Sequence, residues 1–418
     1  MSNNSRVSVG IEDKLPITQL IPLGFQHIFA MFGATILVPM LTGLSPSVAL
    51  FTSGAGTLLF VFITKGKVPA YLGSSFAFIV PIVTVANEWG ISYALGGAVV
   101  VGLVYALIAF LVSLIGSDWI DRLLPPVVIG SVIIVIGLGL AGTAVEMAGL
   151  KPGDLGSVSL ANPDVRVSLF TLAVTIIGTI FFKGFFGVIP ILIGIIAGYL
   201  FAITQGIVDF EIVKQASWFA LPDFMAPSFS WGAILSMVPV AFVTIAEHLG
   251  DVAVISRVVG KDFFRDPGLH RTLLGDGLAT SLAGLVGGPP NTTYGENVGV
   301  LAISRVYSVY VIITAAVLAI CLSIFGKFGA LVRTLPNPVM GGISMVLFGI
   351  IASSGLRTLV ESGIDFSQKR NLVIASVILV LGIGGSQLNF GPIELSSMAL
   401  ATIAGIILNL IIPQSKVQ

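Results

Sequence analysis

The chain has 418 residues, of which 56% are hydrophobic and only 10% are charged, and its mean hydropathy of +1.05 is typical of a protein embedded in a lipid bilayer. Its formal net charge is zero, which excludes the basic surface that a nucleic-acid-binding protein requires. Three widely separated histidines and a single cysteine, Cys321, argue against a zinc site and exclude an intramolecular disulfide. We therefore expect neither a metal ion nor a cofactor.

Apolar runs long enough to cross a bilayer, about 20 residues each, recur from about residue 20 to residue 412. No long polar region separates them, so one all-α polytopic membrane domain is the simplest interpretation. We predict 14 membrane segments, at about 20–41, 48–65, 70–88, 92–115, 126–149, 168–182, 187–208, 232–255, 271–287, 291–305, 307–325, 338–354, 372–384 and 396–412.

The third and tenth segments each begin with a short polar stretch, Gly-Ser-Ser-Phe at 73–76 and Asn-Thr-Thr-Tyr-Gly-Glu at 291–296. Each lies third in its half of the chain, and seven segments on either side of residue 230 predict an inverted repeat. Irregular backbone at membrane depth must be buried in protein or line a polar cavity. We therefore predict that residues 71–76 and 291–294 are extended, pair as two short antiparallel strands, and each lead into a half-helix.

The basic residues are distributed unevenly between the two sides that this arrangement defines. With the N-terminus inside, 15 of the 20 Lys and Arg residues fall on the inner side and 5 on the outer side. Cytoplasmic loops carry an excess of these residues. The bias therefore predicts that both termini lie in the cytoplasm.

Four acidic residues lie inside the most apolar stretches: Glu247, Asp251, Asp276 and Glu296. A carboxylate at membrane depth costs roughly 2.5–3.5 kcal/mol on insertion scales and usually faces a bundle interior or a cavity. Glu247 and Asp251 are four residues apart and share one helix face. A solvated helix end or an internal pair to a basic residue is the structural alternative for Glu247 and Asp251, and stabilisation by the helix dipole is the alternative for Glu296. The cluster indicates a polar site for a ligand, a proton or both.

Three polar residues keep two interpretations each. Asp276 either contacts a ligand directly or hydrogen-bonds the broken backbone nearby. His27, in the first segment, is either a buried core residue or part of a proton pathway. His248 is rotated from Glu247 by about 100° around the helix, so it either packs in the core or orients a carboxylate.

Five motifs stand out along the chain: Gln-His at 26–27 with Phe-Ala-Met-Phe-Gly-Ala at 29–34, Ala-Tyr-Leu-Gly-Ser-Ser-Phe-Ala-Phe at 70–78, Ala-Glu-His-Leu-Gly-Asp at 246–251, Asp-Pro-Gly-Leu-His at 266–270, and Pro-Asn-Thr-Thr-Tyr-Gly-Glu-Asn-Val-Gly at 290–299. Together they resemble the nucleobase–ascorbate transporter family, and most closely its bacterial uracil:proton symporters. The likeness runs from about residue 16 to residue 410, which is nearly the whole chain.

The resemblance implies a core domain and a gate domain, each built from two stretches of the chain. The core would comprise residues 1–124 and 231–330, with segments 1–4 and 8–11. The gate would comprise residues 125–230 and 331–418, with segments 5–7 and 12–14. In the family the substrate lies between the two extended pieces, and a homodimer often forms through the gate.

The resemblance also assigns roles to individual residues. Glu247 and Glu296 match the family's two substrate-binding acids, and the other residues expected at the substrate are Phe76, Tyr294, Gly295 and Ser75. Proton coupling cannot be copied from the family, because the chain departs from it at Asp251 and Asp276. It is expected from the ionisable membrane residues themselves, namely Glu247, Asp251, Glu296, Asp276, His27 and His248. Phe348 is expected in the gate.

The chain departs from the family pattern at several of these positions. Asp251 stands where the best-known uracil symporter has His, Asp276 where it has Asn, and Phe348 where it has Tyr. Purine-transporting relatives resemble this chain at the first two positions, but they usually carry Gln at the position of Glu296. Glu296 therefore favours a pyrimidine substrate.

The expected function is import of uracil with protons across a bacterial inner membrane. A proton symporter of xanthine or uric acid with the same fold is the alternative. A channel would need a continuous polar pore lining and an enzyme would need a nucleophile or a metal set, and the sequence offers neither. We therefore expect a transporter without enzymatic activity, whose partners are the nucleobase, protons and the lipid bilayer.

Overall fold

A computed structural model describes residues 8–152, 158–390 and 393–413. The basic residues Arg6 and Lys416, which contribute to the predicted orientation, lie outside these ranges. The elements of the first range are α1 (Ile17–Thr42), α2 (Pro46–Ile63), β1 (Leu72–Ser74), α3 (Ile79–Glu88), α4 (Ile91–Ile115), α5 (Asp118–Leu123), α6 (Pro126–Leu138) and α7 (Ala141–Met147).

The remaining two ranges contain twelve helices and three strands. These elements are α8 (Pro163–Phe181), α9 (Pro190–Thr204), α10 (Glu211–Gln215), α11 (Trp231–Met237), α12 (Val240–Val259), α13 (Leu269–Val286), β2 (Asn291–Thr293), α14 (Gly295–Ser304), α15 (Val309–Ser323), α16 (Gly326–Arg333), α17 (Asn337–Glu361), α18 (Lys369–Ile383), β3 (Leu388–Phe390), β4 (Ile393–Leu395) and α19 (Ser397–Ile411).

Every predicted membrane segment coincides with a helix, or with a strand that leads into a helix. Among the described residues, seven helices are long and apolar enough to cross a bilayer, when α6 is counted with α7 and α11 with α12. Four shorter apolar helices, of 10–17 residues, accompany them. The chain is therefore a mostly helical, multi-pass membrane protein.

The predicted pairing of the two polar stretches is confirmed. Strands β1 and β2 are antiparallel, with Leu72 opposite Thr293 and Ser74 opposite Asn291. All six strand residues are buried. The backbone continues the ladder on both sides, because the Ser75 amide donates to the Pro290 carbonyl (2.9 Å) and the Tyr294 amide donates to Tyr71 (3.0 Å). Two distant parts of the chain are thereby fixed side by side.

Each of these strands leads directly into a short helix, as predicted. After β1 come one turn of 3₁₀-helix at Phe76–Phe78 and then α3, and after β2 comes α14. The side chains of the N-cap residues, Ser75 and Tyr294, do not cap the 3₁₀ turn or α14. The first backbone N–H groups of both helices are thus left for other partners.

A second small sheet was not predicted. Strands β3 and β4 pair antiparallel between α18 and α19, so the described residues contain four strands in two sheets rather than two strands in all. Each strand has three residues and alternates apolar with polar residues, Leu-Asn-Phe and Ile-Glu-Leu. A period-2 pattern this short carries too little signal for a strand to be predicted.

Glycine contacts allow two pairs of long helices to approach closely. A Cβ added to Gly102 of α4 would lie 2.2 Å from the carbonyl oxygen of Gly277 in α13. In α6 and α17 the contact is reciprocal, since a Cβ on either Gly130 or Gly355 would meet the other's carbonyl oxygen, at 2.9 and 2.6 Å. Small residues at helix crossings are typical of packing within membranes, where van der Waals contact drives association.

Candidate binding site

The four membrane acids come together where the paired strands meet α12. Glu247 and Asp251 lie on α12, and Glu247 is within electrostatic range of Asp251, Asp276 and Glu296. Glu296 lies in the first turn of α14, and a Cβ added to the preceding Gly295 would meet the Asp251 carboxylate at 3.7 Å. Asp276 is fully buried in α13, whereas the other three acids are partly exposed. The sequence prediction of an acidic cluster is therefore consistent with the geometry.

Asp251 and Asp276 are joined by two intervening side chains. The Thr293 hydroxyl donates to Asp251 Oδ2 at 3.0 Å and lies 3.5 Å from His248 Nδ1. The same imidazole nitrogen lies 3.4 Å from Asp276 Oδ2. That approach is an ion-pair contact and not a hydrogen bond, because both carboxylate oxygens of Asp276, like His248 Nε2, have no hydrogen-bond partner among the described residues. Asp276 thus approaches the imidazole of His248, and no bond from it to the broken backbone is observed in that part of the chain.

An aromatic contact closes one side of the cluster. The rings of Phe76, in the 3₁₀ turn after β1, and Phe348, in α17, meet edge to face with their centroids 5.6 Å apart and their planes at 84°. Both side chains are buried. A flat ligand that lay between the two strand–helix junctions would be close to the Phe76 ring.

The Tyr294 side chain is held by β1 and α1. Its ring packs over Gly73 of β1, where an added Cβ would lie 2.5 Å from the ring carbons. Its hydroxyl donates to the Ser74 carbonyl oxygen (3.0 Å) and accepts from Thr35 of α1 (3.2 Å). The ring of Phe76, rather than that of Tyr294, is therefore placed to stack on a ligand, and Tyr294 can contribute its backbone.

Two further expected residues, Ser75 and Gly295, line the junctions between strand and helix. The Ser75 hydroxyl is buried without a hydrogen-bond partner among the described residues. Gly295 is exposed, and apart from Asp251 no described residue lies within 4 Å of its added Cβ. An accessible space therefore borders the uncapped start of α14.

His27 has a partner outside the acidic cluster. Its Nδ1 lies 3.0 Å from the Asn297 side-chain nitrogen, which also donates to the His27 carbonyl oxygen at 3.2 Å. The pair links α1 to α14. This contact favours the interpretation of His27 as a buried residue with a structural hydrogen bond.

Sequence reasoning missed Thr293, Asn297 and Thr35, which hold the expected site residues in place. The first two are part of the motif at 290–299, which was the available signal. Thr35 offered none, because a Thr in an apolar helix usually bonds its own backbone.

The arrangement as a whole combines acceptors with free donors. Carboxylate oxygens of Glu247 and Glu296 can accept hydrogen bonds, and the uncapped backbone N–H groups of the 3₁₀ turn and α14 can donate them. The Phe76 ring supplies a flat apolar wall. Such a site suits a small planar molecule that carries both N–H groups and carbonyl oxygens.

Comparison with known proteins relates this chain to permeases. A family model named Xan_ur_permease and described as "Permease family" matches residues 18–390. The chain is 54% identical over 422 residues to the uracil permease of Bacillus subtilis (strain 168), covering 99% of this chain and 97% of that protein. It is 49% identical over 407 residues to the uracil permease of Escherichia coli (strain K12), covering 97% and 94%.

Among solved structures, the fold is similar to the transmembrane domain of a cyanobacterium bicarbonate transporter, BicA, with a TM-score of 0.63 at 15% identity, covering 96% of this chain and 100% of that one. At that identity the likeness concerns the fold alone. The family match and the identities to the two permeases extend over nearly the whole chain. The chain therefore belongs to this permease family, the nucleobase–ascorbate transporters.

Proposed function

We propose that this protein imports uracil together with protons. The observation that carries the proposal is the acidic cluster of Glu247, Asp251 and Glu296 at the junction of two paired, broken membrane segments. Relatives at 54% and 49% identity are named uracil permeases, and a permease moves its substrate without transforming it. Transport, rather than catalysis, is the function that this combination supports.

In the proposed complex the base lies between the two strand–helix junctions. Uracil has two N–H donors and two carbonyl acceptors, so the Glu247 and Glu296 carboxylates would accept from its nitrogens. Backbone N–H groups near Gly295 and Phe76 would donate to its carbonyl oxygens. The Phe76 ring would stack on the base, with Ser75 and the Tyr294 backbone at its edge.

The proton is proposed to bind within the same cluster. Several carboxylates in one buried site cannot all be ionised at low cost, because burial and like charges both favour the protonated form. The acids therefore share protons as a coupled group. We assign this role to Glu247, Asp251, Glu296, Asp276 and His248, and we leave out His27 because its observed partner is Asn297.

The proposed architecture is the inverted repeat of seven plus seven spans, with the core at 1–124 and 231–330 and the gate at 125–230 and 331–418. The close α4–α13 and α6–α17 pairs support it, because each pair lies within one proposed domain. Phe348 would belong to the gate and would separate from Phe76 when the core slides. We further propose a homodimer formed through the gate, in a bacterial inner membrane, with both termini in the cytoplasm.

Uptake of labelled uracil by a transport-deficient bacterial host tests the proposal. We expect Glu247→Gln and Glu296→Gln each to abolish uptake, because each removes a carboxylate that binds the base or the proton. Glu146→Gln is the matched control, since its exposed carboxylate forms a surface ion pair with Lys151 and lies outside the acidic cluster. Full uptake by Glu296→Gln would refute the site, and uptake that survives a proton uncoupler would refute proton coupling.

Competition with unlabelled bases tests the choice of substrate in the same cells. We expect uracil to compete strongly and xanthine or uric acid weakly. Transport of xanthine or uric acid is the alternative under test, because Asp251 and Asp276 match the purine-transporting relatives. Uptake of labelled xanthine without uptake of labelled uracil would replace uracil with a purine in the proposal and leave the transporter class unchanged.

A further inference from the structure

A continuous line of polar side chains connects the acidic cluster to the interior of α13. Asp251 borders the accessible space beside Gly295, whereas Asp276 and His248 are fully buried. Thr293 and His248 bridge the two carboxylates through separations of 3.0, 3.5 and 3.4 Å. Asp276 is thus a carboxyl group whose nearest polar contact in the described residues leads back to the site.

The bridge has the chemistry of a proton path. The Thr293 hydroxyl can accept one hydrogen bond while it donates another, and imidazole accepts a proton at a nitrogen that carries none. His248 Nδ1 lies 3.5 Å from the Thr293 hydroxyl and 3.4 Å from Asp276 Oδ2, and the second contact is not aligned as a hydrogen bond. Nδ1 can therefore receive a proton from Thr293 and, after a rotation of the imidazole ring, pass it to Asp276. The hydrogen on Nε2 would stay in place throughout, because no described residue accepts it.

Other titratable groups face this line from three helices. Glu247 lies beside it on α12, Glu296 on α14, and Tyr105 of α4 is within electrostatic range of both Asp276 and Glu247. Of the other elements that pack on α12 or α13, α2, α6, α19 and the turn at Phe76–Phe78 contain no titratable residue. The segment Phe264–Gly268, just before α13, carries Arg265 and Asp266, but both side chains are exposed and pair with Asp262 and Lys67, respectively. None of the groups near the line is a Lys or an Arg, so a positive charge that arrives as a proton meets only acids, Tyr105 and His248.

We propose that Asp251, Thr293, His248 and Asp276 form a proton relay in which Asp276 stores the transported proton away from the base. The Asp251 O–H bond breaks as Thr293 accepts that proton, and Thr293 gives its own hydrogen to His248 Nδ1. The imidazolium then gives the Nδ1 hydrogen to Asp276, which forms a new O–H bond and leaves Thr293 and His248 unchanged. The net result is the transfer of one proton from Asp251 to Asp276, and the reverse steps return it to Asp251. This inference rests on the proposed uracil–proton symport.

The test uses the full-length protein in liposomes and separates coupling from base binding. Thr293→Val removes the hydroxyl and keeps the shape of the side chain, so we expect uracil accumulation driven by a pH gradient to fall by at least about tenfold. Uracil binding and uracil–uracil exchange without a gradient should stay within about threefold of wild type, since neither requires the proton to leave. Thr293→Ser should restore accumulation.

Thr292→Val is the matched control, because Thr292 is the neighbouring buried residue of β2 and its hydroxyl has no hydrogen-bond partner among the described residues. It should behave as wild type. Gradient-driven accumulation by Thr293→Val at the wild-type level would overturn the relay, and so would an equal loss of binding, exchange and accumulation, which would indicate a structural role. Failure of the wild-type protein to accumulate uracil under the gradient would overturn the proposed function, and the relay with it.

Discussion

Gly73 leaves the space that the ring of Tyr294 occupies between the two broken segments. An added Cβ would lie 2.5 Å from two ring carbons and 2.8 Å from the hydroxyl oxygen of Tyr294. The ring cannot retreat freely, because its hydroxyl is bonded to Ser74 on one side and Thr35 on the other. Because Gly73 has no Cβ, the Tyr294 side chain can pack there and connect α1, β1 and the start of α14.

Gly73→Ala should therefore destabilise the protein and impair transport. Overpacking of a well-packed site costs typically about 1–3 kcal/mol. We expect a lower melting temperature in detergent and weaker uracil uptake, because displacement of Tyr294 shifts the backbone at Gly295. The melting temperature and the uptake rate are measured on the same preparations.

Gly142→Ala provides the control for this prediction. Gly142 lies within α7 and nothing in the described residues lies within 4 Å of its added Cβ. Its substitution should leave uptake unchanged. A Gly73→Ala protein with wild-type melting temperature and uptake would show that the contact with Tyr294 is not tight.

At the level of elements, neighbouring helices complete the hydrogen bonds of the two short strands. Thr57 of α2 accepts from the Leu72 amide at 2.9 Å, and Ser53 of α2 donates to the Leu72 carbonyl oxygen at 2.6 Å. Thr280 of α13 donates to the Asn291 carbonyl oxygen at 2.7 Å. A strand of three residues pairs too few of its own groups, and unsatisfied backbone groups are costly where water is excluded.

Thr57→Val should weaken the broken segment by leaving the Leu72 amide without its acceptor. An unsatisfied buried donor costs about 1–3 kcal/mol, so we expect a lower melting temperature, and Thr57→Ser should recover most of the loss. In the control Thr402→Val, the buried hydroxyl that is lost bonds the Met398 carbonyl of its own helix α19. Equal melting temperatures for Thr57→Val and Thr402→Val would contradict the assigned role.

These contacts also explain how much could be predicted from the sequence. Residues 73–76 and 291–296 could be predicted because a polar run inside an apolar segment is recognisable from the sequence alone. The membrane acids could be predicted for the same reason. The partners Thr57 and Thr280 were not predicted, because a buried Thr in a helix more often bonds its own helix, as Thr402 does. Which Thr faces a strand is decided by packing between distant segments, and sequence spacing does not encode it.

On the scale of the whole molecule, two ion pairs lie near the helix ends that are predicted to face the cytoplasm. Arg257, in the last turn of α12, donates to Glu361 at the end of α17. This ion pair connects the proposed core to the proposed gate. Lys67 binds Asp266 at 2.5 Å, and both of these residues lie in the proposed core. The side chains are exposed, so each pair contributes only about 0–1 kcal/mol and tolerates replacement.

The two pairs therefore offer a matched test of whether the core slides against the gate. In a Cys321→Ser background, which removes the single native thiol, the double variants Arg257→Cys/Glu361→Cys and Lys67→Cys/Asp266→Cys are joined with a short bifunctional thiol reagent. We expect the first cross-link to block uracil uptake, because it fixes the two domains together, and the second to leave uptake intact. Uptake at the full rate with Arg257→Cys/Glu361→Cys fully cross-linked would refute the proposed division into moving domains, whereas a block by both cross-links would place motion within the core itself.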